Sequence, residues 1–263
     1  MKNNSETTTS KREYKIIFLH HSTGGVISNA GNQPNRIIRK IFKPKSYIAE
    51  WFNDYNQKNS TKHSIAEQFF PKKELYGWKN YPYDYYNIWV KNAGEQPYLN
   101  EPTLEILTRQ YDLIIFKHCY PVSNIEEDIH QPDINSEEKR VENYKLQYLA
   151  LKQKLYEFPN TKFILWTGPA QVQANTTKEQ ALRSKAFFDW VKNDWDAPND
   201  NIYLWDFYGL ETDGSLFLKN ENAASSHDSH PGKSFAQKVA PLFCQRIIDV
   251  IEYKSTLSNE IMK

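Results

Sequence analysis

Two segments at opposite ends of the chain carry residue types that can perform nucleophilic catalysis. Near the start, the apolar run Ile16–Leu19 is followed at once by two histidines and Ser22. Near the end, the stretch SSHDSHPGKSF places Asp228 and His230 directly before a segment of helical character. A serine hydroxyl is a weak nucleophile until a neighbouring base takes its proton, and that base needs an orienting partner. These residues predict a Ser-His-Asp arrangement, if the fold brings the two segments together.

The elements that would position them alternate between strand-like and helix-like patterns. Continuous apolar runs typical of buried parallel strands occur at residues 16–19, 112–118, 162–170 and 201–207, with a shorter candidate at 87–94. Four helical patterns lie between or after them. The first begins at Glu101–Pro102 with Asn100 as its cap, and the second runs from Ser136 to Phe158. The third runs from a Thr177–Gln180 capping box to about Trp195, and the fourth lies at about 233–253, where Pro241 should kink or split it. This alternation predicts an α/β fold with a parallel sheet covered by helices on both faces.

The segment at residues 29–86, after the first strand-like run and its glycines, is harder to assign. Residues 35–42 and 47–55 have helix-like patterns, and an aromatic, proline-containing stretch follows them without a clean period. No linker is strong enough to divide the chain, so we expect one domain over residues 14–255. It would carry an aromatic-rich insertion at about 43–86, and long irregular segments of this kind are often functional. The polar residues 1–13 are expected to form a disordered tail without the apolar core of a signal peptide or membrane anchor.

The overall charge and the cysteines exclude several function classes. The chain has 263 residues with 33 basic and 32 acidic side chains, a net charge of +1, which argues against nucleic acid or an anionic membrane as the main partner. Its two cysteines, Cys119 and Cys244, lack metal or redox spacing and form no disulfide framework, although a single bridge stays open. A soluble enzyme or binding protein for small molecules is the class that remains.

The ends of the predicted strands show which side chains would meet. Ligands of open parallel sheets bind outside the carboxyl ends of the strands. The residues delivered there include His20, His21, Ser22, Thr23, Gly24 and Gly25 after the first run, Gly94 after the short candidate, His118, Cys119, Tyr120 and Asn124 after the next, and Thr167, Gly168 and Gln171 after the fourth. Hydroxyl, imidazole and amide groups therefore dominate the predicted site.

The order of these blocks resembles the SGNH (GDSL-like) hydrolases, a family of flavodoxin-like α/β/α esterases, lipases and carbohydrate acetylesterases. The resemblance spans about residues 15–250. It implies that Ser22 is the nucleophile, although two histidines replace the Gly-Asp that usually precedes it, and that His230, followed by proline, is the base. The family's acid stands three residues before that histidine. Here His227 takes that place, so Asp228 is the expected acid, with Asp206 as the second choice.

The same resemblance implies an oxyanion hole and a substrate class. Its donors would be the N–H groups of Ser22 and Gly94 (in the block NAG), with either Asn124 or His118 from the block KHCYPVSN. No metal or organic cofactor is expected, and the substrate would be a small-molecule or carbohydrate ester. The side chains expected to line the pocket are His21, Thr23, Tyr120 and His227.

Other interpretations of these residues stay open at this point. Ser22 could cap a helix, whereas Gly24–Gly25 lacks the motifs of a nucleotide-binding loop. The histidines with Asp228 could bind a metal, without any recognised ligand spacing. Cys119 fits a packed small side chain better than a reactive thiol. The aromatic residues between 78 and 89 could be core or could stack on a sugar, so a carbohydrate-binding relative without catalysis is the alternative, next to a metal-dependent hydrolase.

Overall fold

The computed structural model describes residues 13–32 and 45–252. The helix predicted at residues 35–42 and the tail predicted at the amino terminus, apart from its last residue, lie outside these ranges. Element labels below are numbered along the described chain.

A five-stranded parallel sheet forms the centre of the molecule, in the order β2-β1-β3-β4-β5. The strands are β1 Lys15–His20, β2 Ser64–Phe69, β3 Leu113–Phe116, β4 Lys162–Trp166 and β5 Ile202–Trp205. This 2-1-3-4-5 order is that of flavodoxin-like, doubly wound sheets, in which the strand order reverses beside the first strand. The prediction of a parallel α/β fold is confirmed.

Helices cover both faces of the sheet. They are α1 Ser22–Ser28, α2 Tyr47–Asn59, α3 Pro82–Tyr86, α4 Leu104–Leu107, α5 Val141–Tyr156, α6 Lys178–Trp190, α7 Phe207–Thr212 and α8 Lys233–Glu252. Buried side chains of α1, α2 and α8 pack on one face, and those of α3 to α6 pack on the other. The three-layer α/β/α arrangement follows from this division.

The first strand shows why the sequence forms a central strand here. Ile17 and Leu19 join the core on one face of the sheet, while Ile16 and Phe18 join the core on the other face. Side chains of a strand alternate between the two faces, so a strand buried on both needs a continuous apolar run. The strand ends where the polar residues begin, which places Ser22 at the carboxyl edge of the sheet.

A short antiparallel hairpin carries Asp228 and His230. Its strands are β6 Ala223–Ser225 and β7 Asp228–Pro231, and Ser226 and His227 form the two-residue turn between them. The first helix contacts β7 closely. The hairpin therefore brings Asp228 and His230 to the start of α1.

Two segments differ from the sequence prediction. Residues 64–69, for which no strand was predicted, form the edge strand β2, and residues 87–94, predicted to contain a strand, continue α3 as one π-helical turn, Asn87–Lys91. Ile88 and Trp89 are buried against one face of the sheet. A short apolar run fits a buried helix turn as well as it fits a strand.

The other helix boundaries agree with the sequence in part. The Thr177–Gln180 capping box is confirmed, whereas the helix after residue 100 begins at Leu104, with Thr103 rather than Asn100 preceding it. Helix α5 begins at Val141, five residues later than predicted. Pro241 does not split α8, which continues because the residues around it pack their apolar side chains on the sheet.

Two further properties of the described chain bear on its class. Cys119 and Cys244 are both free thiols. None of the helices within residues 13–32 and 45–252 is both long and apolar enough to span a membrane.

Candidate active site

Ser22, His230 and Asp228 form a continuous chain of hydrogen bonds at the carboxyl edge of the sheet. The Ser22 Oγ lies 2.9 Å from the His230 Nε2, and the His230 Nδ1 lies 2.6 Å from the Asp228 Oδ1. Since an ionised carboxylate can only accept, the Nδ1 carries the hydrogen and the Nε2 is free to accept from the serine hydroxyl. This is the geometry that a serine nucleophile, a base and an orienting acid require.

The hairpin explains how an acid only two residues from the histidine can reach it. Asp228 and His230 lie on β7, where residues i and i+2 project to the same side. Ser229, between them, projects to the other side, where its hydroxyl is buried and accepts from the Val172 N–H at 3.2 Å. The backbone N–H of His230 also donates to the Asp228 Oδ1, at 3.0 Å. The carboxylate is therefore fixed by two hydrogen bonds from one residue.

These contacts keep the acid ionised. Burial alone would raise the pKa of Asp228, but hydrogen bonds from the backbone and ring of His230, together with the charge of that ring, hold the pKa below its usual value. The Asp228 side chain is 48% exposed and that of His230 is 28% exposed. The pair is therefore open to solvent and to a substrate.

Close packing at the start of α1 fixes the nucleophile. A Cβ atom on Gly24 would lie 2.4 Å from the Cβ of His20, a distance that real side chains do not adopt. The His20 Nδ1 donates to the carbonyl of His21 at 2.9 Å. A glycine at position 24 thus lets the first turn of α1 lie directly on the end of β1, with Ser22 at the tip.

The sulfur of Cys119 lies beside the backbone N–H of Ser22. Burial raises the pKa of the Cys119 thiol, while the positive charge of Lys117 and a hydrogen bond from the Ser22 N–H act in the opposite direction. A raised pKa keeps the thiol protonated and weakly nucleophilic. Cys119 therefore borders the nucleophile, at the edge of the sheet where the strand pattern predicted it.

The structure corrects the assignment of Gly94 to the oxyanion hole. Its N–H donates to the Glu105 carboxylate at 3.1 Å, and that carboxylate is paired with Lys154 in the last turn of α5. The last turn of α5 precedes β4, so this group lies at the amino ends of the strands. The family block that implies Gly94 would follow a strand at residues 87–94, whereas the helical turn there places Gly94 at the opposite edge of the sheet.

The other two predicted oxyanion donors differ in their placement. His118 is buried, its Nε2 lies 2.6 Å from the Tyr148 hydroxyl, and burial lowers its pKa to about 3. It therefore packs in the core and cannot donate to a substrate. Asn124 lies at the carboxyl edge, where its side-chain oxygen accepts from the Gln171 amide, so it stays a candidate.

Of the four predicted pocket residues, three are corrected. Thr23 is fully buried, and His227 sits exposed in the hairpin turn with its ring against Ser226. His21 is buried beneath the pocket instead of lining it. Tyr120 lies edge-on to the His230 ring, with 5.0 Å between ring centroids, and is therefore beside the site.

His21 supports the pocket from below. Its Nε2 donates to the Pro71 carbonyl at 2.6 Å, and its ring stacks under Trp78 with 4.4 Å between centroids. Burial lowers the pKa of His21 to about 4, against a hydrogen bond to Pro71 that raises it, and the charge of Lys117 lowers it further. The ring is therefore neutral at neutral pH.

The lowered pKa of His21 makes the free energy of unfolding depend on pH. Between pH 6.5 and about 4 the unfolded chain binds a proton on His21 that the folded chain does not, so the free energy of unfolding falls as the pH falls through that window. We expect His21→Gln, which keeps a donor but does not titrate, to remove about 3 kcal/mol of this loss.

Urea unfolding of the wild type and His21→Gln at pH 7 and pH 4 measures the difference. The comparison with the variant is needed because burial raises the pKa of Asp84 and of Glu101 to about 6, and these carboxyls act in the opposite direction. Equal pH dependence of the two proteins would contradict the neutral, buried state of His21.

A cleft of about 760 Å³ opens beside Ser22. It borders His230 and Asp228 on one side and extends past Glu67, Phe69 and Trp78 on the other. The side chains of Phe69 and Trp78 are 50% and 53% exposed. The sequence pattern does not indicate Glu67 or Phe69 as site residues, because they lie on the edge strand β2, whose side chains are mostly exposed.

Glu67 ties the elements around the nucleophile together. Its carboxylate accepts from the hydroxyls of Ser28, at the end of α1, and Ser46, the cap of α2. One of its oxygens lies 3.3 Å from the His20 Nε2. Burial raises the pKa of Glu67, but these hydrogen bonds and the charge of His20 lower it by more. An ionised carboxylate therefore lies in the wall of the cleft.

The remaining site hypotheses can be compared with this arrangement. Asp206, the second choice for the acid, instead caps α7 and accepts from the Thr167 hydroxyl at 2.7 Å. Within the residues that the structure describes, no group of three or more His, Cys, Asp and Glu side chains is arranged to hold a metal ion.

Comparisons with known proteins add little to this geometry. No protein-family model matches the chain, and no curated protein matches it. Among solved structures, a carbohydrate esterase whose active site is described as having divergent catalytic and non-catalytic binding functions is similar, with 14% identity and a TM-score of 0.42. The match covers 91% of this chain and 66% of the esterase, so this chain spans about two thirds of the length of the esterase. A similarity of this extent leaves the activity to be inferred from the chain's own site.

Proposed function

We propose that the protein is a serine ester hydrolase of the SGNH type, with Ser22 as nucleophile, His230 as general base and acid, and Asp228 as the orienting acid. The observation that carries this proposal is the hydrogen-bonded chain from the Ser22 Oγ through both ring nitrogens of His230 to the Asp228 carboxylate. A nucleophile, a base and an orienting acid within hydrogen-bond distance of one another indicate catalysis much more specifically than a serine at the start of a helix does.

The reaction proceeds in two halves. Ser22 attacks the acyl carbonyl as the His230 Nε2 takes its proton, and Asp228 stabilises the imidazolium that forms. His230 then returns the proton to the leaving alcohol, which departs and leaves an acyl group on Ser22. In the second half, water attacks this acyl-enzyme with His230 again as base, and the carboxylic acid leaves. Neither half requires a metal or an organic cofactor.

The tetrahedral oxyanion needs donors that are in place before the reaction. The backbone N–H of Ser22 is one, and a substrate oxygen replaces the Cys119 sulfur as its partner. The amide of Asn124 is the proposed second donor, since it is the predicted side chain that lies at this edge of the sheet. Loss of one such donor typically lowers the rate by about 100- to 1000-fold.

A non-catalytic carbohydrate-binding protein is the second candidate, favoured by the two half-exposed aromatic rings in the cleft. It gives no reason for the alignment of Ser22 with His230, which a binding protein does not need.

Hydrolysis of 4-nitrophenyl acetate by the purified protein separates the two candidates. We expect turnover that follows enzyme concentration and is unchanged by a metal chelator, because the proposed mechanism uses side chains alone. A protein without activity on this ester and on a panel of acylated sugars would favour the binding role. Activity lost to the chelator would instead favour a metal-dependent hydrolase.

A further inference from the structure

The segment that follows β3 contacts both the nucleophile and the base of the proposed triad. The sulfur of Cys119 accepts a hydrogen bond from the backbone N–H of Ser22. The ring of the next residue, Tyr120, lies edge-on to the His230 ring, with 5.0 Å between centroids. Two consecutive residues therefore lie against Ser22 and His230, and the catalytic steps described above give Cys119 no role.

The backbone on both sides of Cys119 holds its sulfur in place. The Cys119 N–H donates to the Asn80 carbonyl at 3.3 Å, and the Cys119 carbonyl accepts from the Val122 N–H at 2.9 Å. The side chain is a free thiol and is only partly exposed. A group that is fixed in this way needs no rearrangement when charge develops beside it, which is what stabilisation of an oxyanion requires.

The thiol can change from acceptor to donor when a substrate reacts. In the free protein the sulfur accepts from the Ser22 N–H. The oxyanion of a tetrahedral intermediate would take over that N–H, so its oxygen would lie next to the sulfur. Burial raises the pKa of the Cys119 thiol, which keeps the hydrogen on the sulfur at neutral pH. A protonated thiol can donate this hydrogen to the oxyanion, although more weakly than an amide or a hydroxyl.

A buried lysine favours negative charge at the same place. Lys117 is fully buried, and its Nζ has no hydrogen-bond partner among the residues that the structure describes. Burial lowers the pKa of Lys117, whereas negative charge on Cys119 or Glu211 raises it. An anion that forms beside Cys119 would therefore favour the charged form of this amine and would be attracted to it.

From these contacts we infer that Cys119 is a catalytic residue of the oxyanion hole, whose S–H donates to the same oxyanion that the Ser22 N–H binds. The inference rests on the proposed function, because it needs an ester carbonyl that Ser22 attacks. Cys119 would then supply a donor in addition to the proposed Asn124 amide, at an edge of the sheet where Gly94 supplies none.

Two variants of similar size test the inference. Cys119→Ala removes the donor, whereas Cys119→Ser keeps a hydroxyl that can donate in its place. We expect Cys119→Ala to lower kcat for 4-nitrophenyl acetate by about tenfold with little change in KM, a smaller loss than a stronger donor would cause. Cys119→Ser should keep most of the wild-type kcat. Equal kcat values in the two variants would overturn the inference.

Reversible modification of the thiol is an independent measurement. Methyl methanethiosulfonate replaces the hydrogen of the S–H group with a methylthio group and releases methanesulfinic acid. We expect esterase activity to fall as mass spectrometry finds this group on Cys119, and to return when dithiothreitol removes it. Cys119→Ser should resist the reagent. A protein that carries the group on Cys119 and keeps its full rate would overturn the inference.

Cys244→Ala is the matched control for this measurement. Cys244 is the other cysteine of the chain and is fully buried in the core. The variant should therefore lose activity to the reagent as the wild type does. Inactivation that Cys244→Ala prevents would assign the effect to Cys244 and would overturn the role of Cys119.

The Ser22→Ala protein separates failure of this inference from failure of the proposed function. Hydrolysis by the wild type that Ser22→Ala abolishes supports the proposed function, whatever the role of Cys119. If Cys119→Ala and Cys119→Ser then have the same rate, the role of Cys119 alone is overturned. A wild type without activity on 4-nitrophenyl acetate and on a panel of other acetyl esters would overturn the proposed function and this inference with it.

Discussion

Replacing Ser22 with alanine is expected to lower kcat for 4-nitrophenyl acetate by about 10⁴- to 10⁶-fold, the range seen when the nucleophile of a serine hydrolase is removed. The physical reason is that the alanine cannot form the acyl-enzyme, and the His230 ring, 2.9 Å from the serine oxygen in the wild type, has no hydroxyl to activate. Initial rates over a range of substrate concentrations measure the effect.

A second serine provides the control for this variant. Ser226 is exposed in the hairpin turn, and its hydroxyl contacts the ring of His227. Ser226→Ala should therefore keep the wild-type rate. Circular dichroism and thermal unfolding should show that both variants are folded, because Ser22 lies at the exposed tip of α1 and contributes little to the core. A Ser22→Ala protein with the wild-type kcat would remove this residue from the mechanism.

Replacing His230 with glutamine is expected to lower kcat by about 10⁴-fold or more, with a smaller change in KM. Glutamine can hydrogen bond to Ser22 but cannot take its proton at neutral pH, so the hydroxyl stays a poor nucleophile. The variant should also lose the acidic limb of the pH–rate profile, which reports protonation of the general base.

His227→Gln is the matched control for this prediction. His227 lies three residues earlier in the chain, where the SGNH family has its acid, but it is exposed and does not contact the triad. We expect its rate to equal that of the wild type. A large loss in His227→Gln, together with a mild one in His230→Gln, would contradict the assignment and would favour the alternative in which several histidines bind a metal.

The features that sequence analysis predicted well depend on continuous, local patterns. The strand ending at His20 has an uninterrupted apolar run, the pattern that a strand buried on both faces requires. By contrast, β2 is an edge strand with exposed residues such as Ala66 and Glu67, so its pattern resembles a loop. The block that implied Gly94 was expected after a strand at residues 87–94, but this segment is helical and the structure places Gly94 at the opposite edge of the sheet.

Sequence analysis named Asp228 as the expected acid, but the sequence did not show how an acid only two residues from His230 reaches its ring. The SGNH family has its acid three residues before the histidine. In this chain a strand follows the two-residue turn at Ser226–His227. Side chains alternate along that strand, so Asp228 and His230 project to the same side. Hairpins this short leave little signal in the sequence, because their strands have only three and four residues.

The walls of the cleft could not be derived from local patterns at all. Trp78 belongs to a segment without regular structure, and its ring stacks on that of His21, more than fifty residues earlier in the chain. Similarly, Glu67 acquires its role from hydroxyls on two different helices. Such contacts depend on the assembled fold, since residues distant in the chain have no pattern in common.

The central claim is that Ser22 is an activated nucleophile, and the most direct measurement is its covalent labelling. A fluorophosphonate reacts with a serine that a neighbouring base activates, and the adduct resembles the tetrahedral intermediate. We expect mass spectrometry of the digested protein to find one equivalent of phosphonate on the peptide containing Ser22, a loss of esterase activity in step with labelling, and no adduct in His230→Gln. Labelling at another residue, or an active protein whose Ser22 stays unmodified, would contradict the account.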